Sequence, residues 1–60
     1  MDVVGQAKEV NSMAVRVGDM IMVWGRFMEV VEINEDTIYA GERARIPVIR
    51  GNHISATILV

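Results

Sequence analysis

The sequence predicts an all-β protein: a small barrel of about five short antiparallel strands, with a short N-terminal arm or helix ahead of it. Three observations predict this. From residue 14 onward, short apolar runs alternate with turn residues. The last of these runs alternates apolar and polar side chains, the signature of a half-buried strand. The chain has 60 residues, enough for one domain and a thin core.

Residues 1–13 differ from the rest. Val3, Ala7, Val10 and Ala14 recur at helical spacing, which allows a short amphipathic helix. Gly5 and Asn11 weaken it, and an isolated helix this short is marginal in water. The segment is therefore expected to be a mobile arm, separable from a barrel spanning residues 14–60. Trimming residues 1–12 is expected to leave the fold intact. Met13 offers an alternative translation start.

The barrel elements follow in order. Val15-Arg16-Val17 leads into a Gly18-Asp19 turn, and Met20–Trp24 is the first long strand. After Gly25-Arg26 comes Phe27–Ile33, ended by Asn34-Glu35-Asp36. Thr37–Ala40 and Arg45–Arg50 are the next two runs. Gly51-Asn52 suits a two-residue hairpin turn into His53–Val60. In that last run Ile54, Ala56, Ile58 and Val60 share one face, while His53, Ser55 and Thr57 share the other, interrupted by Leu59. Ile46 and Val48 point opposite to Arg45, Pro47 and Ile49. Pro47 has no N–H for a ladder, so its strand belongs at an edge. In Phe27–Ile33 the apolar phase switches, and a bulge near Val30-Val31 would turn Met28, Val30, Val31 and Ile33 inward together.

Val15 to Val23, followed by Gly25-Arg26 and Glu29-Val30-Val31-Glu32-Ile33, resembles the opening hairpin of SH3-like barrels. It is most similar to the KOW type of ribosomal and transcription-elongation proteins. The resemblance covers about half the chain and implies the fold, with a Gly-Asp turn opening the strand. Gly18 permits a positive φ there, and the Asp19 carboxylate can accept from nearby backbone N–H groups. The lysine-rich loop that KOW-type RNA binders carry between these strands is missing here.

Composition narrows the function. The net charge of -2 argues against a general nucleic-acid binder, which must neutralise phosphates. No binding to duplex DNA or single-stranded RNA is expected at physiological salt. No cysteine is present and His53 is the only histidine, so no metal site and no cofactor are expected. His53, Ser55 and Asp19 are the only material for hydrolytic chemistry, which is too little to predict an enzyme or name catalytic residues. No apolar run of membrane-spanning length occurs, and Met1-Asp2-Val3-Val4-Gly5 lacks the features of a signal peptide. A cytoplasmic location is expected.

Hydrophobic residues make up 52% of the chain, more than so small a core can absorb. Met20 and Met22 lie on the opposite strand face from Ile21 and Val23, and one of those faces must point away from the core. The surplus predicts a non-enzymatic protein-interaction module, most simply a homodimer, with Met20, Met22, Trp24, Phe27 and Leu59 as contact residues. On this view Met22→Asp should favour monomer and Thr57→Asp should not. The alternative is a KOW-type nucleic-acid module contacting its ligand through Trp24, Arg26, Arg43, Arg45 and Arg50. Against it, the same arginines can pair with Glu29, Glu32, Glu35, Asp36 and Glu42 on neighbouring strands.

Overall fold

A computed structural model describes residues 5–60. These residues form six strands: β1 (Ala7–Asn11), β2 (Met20–Val23), β3 (Arg26–Ile33), β4 (Thr37–Ala40), β5 (Ile46–Ile49) and β6 (Ser55–Leu59). A 3-10 turn over Ser12–Ala14 follows β1. All pairings are antiparallel, in one sheet of order β1-β6-β2-β3-β4-β5. β1 and β5 lie at its two edges and no ladder joins them, so the sheet is open.

Among the described residues no helix covers the sheet, yet Val30 and Ile38 are fully buried and Ile21 is 1% exposed. It must therefore curl and cover its own concave face. That face gathers Ile21, Val23, Val30, Ile38, Ala40 and Ala56, joined by Val15 from the segment before β2. The alternation expected of β5 and β6 holds where it matters. Ile46, Val48, Ala56 and Ile58 pack inward, while Pro47 lies on the edge strand. The β3 register shifts between Val30 and Glu32. This bulge carries Met28 and Val30 inward before it and Ile33 after it, but leaves Val31 outside the core cluster.

The Gly18-Asp19 turn is built as its chemistry requires. Gly18 has φ +98°, the Asp19 N–H donates to the Arg16 carbonyl at 3.1 Å, and an Asp19 carboxylate oxygen accepts from the Arg16 N–H at 2.9 Å.

Three expectations are corrected. Residues 7–14 form neither an arm nor an α-helix: Ala7–Asn11 pair with β6 from Ala7 opposite Leu59 to Asn11 opposite Ser55. Of the arm, residues 1–4 lie outside the described residues. Val15-Arg16-Val17 is not a strand. Val15 is instead a buried anchor below the turn. Gly51-Asn52 makes no hairpin, because β5 and β6 are not neighbours. The chain leaves one edge of the sheet at β5 and re-enters between β1 and β2, turning where the Ile54 N–H donates to the Gly51 carbonyl.

That crossover is fastened to the other edge by Ser12. The Ser12 side chain is fully buried, and its hydroxyl donates to the Gly51 carbonyl and accepts from the Gly51 N–H, both at 2.9 Å. The Ser12 N–H donates to the Ile54 carbonyl at 2.8 Å. Ser12→Ala would leave the Gly51 N–H without its acceptor and the Gly51 carbonyl with the Ile54 N–H alone. A loss of about 1–3 kcal/mol is expected in urea unfolding, and a change below about 0.5 kcal/mol would show that the fastening contributes little.

Candidate functional site

Residues directly opposite on paired strands share a face. Ile21 lies opposite Met28 and Ile58, all on the concave side, so the flanking positions face outward. Met20 stands opposite Leu59 on one side and Glu29 on the other, and Met22 stands opposite Phe27. Four of the five expected contact residues, Met20, Met22, Phe27 and Leu59, thus form one apolar patch across β6, β2 and β3. Met22 is 40% exposed. Thr57 lies on the same outer face as Leu59, so it is no neutral control for Met22.

Trp24, the fifth, is at the tip of the β2–β3 hairpin. Val23 pairs with Arg26 across a two-residue loop in which Trp24 and Gly25 have φ +53° and +78°. Two successive positive values define a type I′ turn, whose twist matches that of the strands. A bulky side chain is unfavourable in this backbone region, where asparagine and glycine are at home. Trp24 nonetheless occupies it and is 82% exposed, so neither local conformation nor core packing explains the residue. Trp24→Asn creates an Asn-Gly turn and is expected to stabilise the isolated chain by about 1–2 kcal/mol. The check is the thermal midpoint at low protein concentration. A lower midpoint would show that the indole supports the fold.

A groove of about 670 Å³ opens between the start of β3 and the β4–β5 loop. Its apolar lining includes Met20, Phe27, Met28 and Ile46. Gly41 lets the loop leave β4 here. Its φ is +107°, and a Cβ would lie 2.5 Å from the Ala44 carbonyl oxygen. Met20 and Phe27 belong to both groove and outer patch. The groove is not legible in the sequence, since Met28, Gly41, Ala44 and Ile46 meet only in three dimensions. Gly41 between the end of β4 and a charged run was the one local signal.

The arginines do not act as one group. Arg45, just before β5, is ion-paired with Glu32 of β3, so the pair forms between acid and base as expected but spans β4 rather than joining neighbouring strands. Both side chains are largely exposed, and such pairs contribute about 0–1 kcal/mol. The Arg50 guanidinium donates to the carbonyls of Asn34 at 3.0 Å and Glu35 at 2.9 Å, so it holds the β3–β4 turn. Arg26 and Arg43 line the groove. Of the remaining polar candidates, the Asp19 carboxylate is occupied in its turn, Ser55 pairs with Asn11, and His53 is exposed in the β5–β6 loop. Among the described residues, no helix is long and apolar enough to cross a membrane. No protein-family model matches this chain, nor does any curated protein or solved structure.

Proposed function

We propose that this protein is a non-enzymatic interaction module that associates with a second copy of itself through the outer face of β6, β2 and β3. The observation that carries the reading is the patch of Met20, Met22, Phe27 and Leu59, facing away from the core on adjacent strands. Met22 is 40% exposed and Met20, Phe27 and Leu59 are half-buried, so each forgoes part of the about 1.5–3 kcal/mol that full burial contributes. A two-fold pairing of this face recovers part of that and adds to a core that is thin for reasons of size.

The fold underneath is read as an SH3-like barrel with an added N-terminal strand. Two features support this. β2 to β5 form an antiparallel meander, and β6 returns to pair with β2. The Ser12–Gly51 hydrogen bonds draw the two edges of the sheet toward each other.

Sedimentation equilibrium across the micromolar range tests the association, with a dimer mass expected at the upper end. Met22→Asp places a charge in the patch and should weaken dimerisation by roughly 30-fold, about 2 kcal/mol. Ile49→Asp is the control. Ile49 is 69% exposed on β5, the edge strand beyond β4, and its substitution should leave the dimer unchanged. A monomer mass at every concentration would overturn the proposal.

A further inference from the structure

The groove beside the β2–β3 hairpin has three properties that together describe its occupant. Its lining is mixed, with Met20, Phe27, Met28 and Ile46 as the large apolar side chains beside charged ones. It also presents backbone that has no partner among the described residues. The Glu29 carbonyl accepts from the Gly41 N–H at 2.9 Å, so Glu29 points its backbone groups toward β4. Along an antiparallel ladder this direction repeats every second residue. Phe27 therefore points its N–H and carbonyl the same way, beyond β4, which begins its pairing with β3 only at Val30 and Ala40. The rim, finally, carries both signs of charge, with Arg26 and Arg43 against Glu29 and Glu42.

A partly apolar slot with a carbonyl that no described residue satisfies suits a flat apolar group that has one N–H donor, which describes an indole. The chain has a single tryptophan, Trp24, and it does not line its own groove. The left-handed backbone of the turn holds it at the tip, 82% exposed, two residues ahead of Arg26 on the groove rim. A rim with one sign of charge would repel its own copy. This mixed rim can face itself, arginines against glutamates, across a two-fold axis.

We infer that the groove takes Trp24 of a second copy of this chain, each copy seating its indole in the other. The inference rests on the self-association reading above and names the contact that fixes it. A bulky aromatic in a strained, solvent-facing turn then has a purpose, because the strain presents the anchor residue before the partner arrives. Groove and apolar patch form one continuous surface, since Met20 and Phe27 belong to both.

Because Trp24 is the only tryptophan, its fluorescence reads the seat directly. The emission maximum should move to the blue, and acrylamide quenching should fall, over the same concentrations at which sedimentation equilibrium finds the dimer. A dimer whose tryptophan remains fully quenchable overturns this inference and leaves self-association standing. A monomer throughout overturns both. Two variants sharpen the test. Trp24→Asn removes the anchor and keeps the groove. Ala44→Tyr fills the groove from an exposed rim position and keeps the anchor. Each should keep a cooperative melt and weaken the homodimer by about tenfold or more. Mixed together, they should recover a blue shift from the Ala44→Tyr chain, whose indole finds the open groove of the Trp24→Asn chain. A mixture that shows no shift beyond the separate variants would falsify the exchange.

Discussion

Removing residues 1–12 is expected to abolish the cooperative thermal transition of this protein. The truncation deletes β1 and with it the ladder to β6, so β6 becomes a bare edge. It takes Val10, which pairs with Ala56 and packs on the core. It also takes the Ser12 hydroxyl, leaving the Gly51 N–H without its acceptor and the Gly51 carbonyl with one donor fewer. The Asn11 side-chain bond to the Asn52 carbonyl goes too. Losing Ser12 alone costs about 1–3 kcal/mol, and a core of this size rarely supplies more than about 3–5 kcal/mol. Circular dichroism during heating is the measurement. A sigmoidal melt within a few degrees of the full chain would restore the separable arm that the sequence suggests.

The second large effect is expected at Ile38. This side chain is fully buried in the core, and its neighbours across the ladders, Ile33 on β3 and Val48 on β5, pack on the same cluster. Ile38→Ala leaves a cavity that a curled sheet with no covering helix has few side chains to fill. A loss of about 2–5 kcal/mol is expected, comparable to the whole stability of such a domain. Ile49→Ala removes the same atoms from β5, where Ile49 is 69% exposed, and should change stability by less than about 0.5 kcal/mol. Urea titration of the two variants distinguishes the faces. Equal losses would show that the core is not where the concave face places it.

Much of the candidate site was legible in advance. Met20 and Met22 follow from strand alternation against Ile21 and Val23, and Leu59 from its interruption of a polar face. Phe27 meets Met22 because the two-residue loop at Trp24 and Gly25 fixes the hairpin register. What the residues could not show was the strain at Trp24, a property of the backbone angle the turn demands. The groove also stayed hidden. It needs the loop after Gly41 to leave β4 while β3 continues, and that mismatch exists only between paired strands.

The sequence by itself determined the all-β class, the span of β4, the inward faces of β5 and β6, the edge position of Pro47 and the Gly18-Asp19 turn. Each of these is settled by neighbours a few residues away, where sterics, alternation and short hydrogen bonds act. Only the tertiary structure decided that Ala7–Asn11 is a strand. Ala7, Lys8 and Glu9 are exposed and only Val10 reaches the core, so no apolar alternation marked the segment. Backbone hydrogen bonds to β6 hold it instead, and these are indifferent to side-chain type. The tertiary structure likewise placed β6 between β1 and β2, which set aside the hairpin at Gly51-Asn52. Ser12 and Gly51 are 39 residues apart in the chain, and their meeting depends on the curl of the whole sheet, which no local pattern encodes.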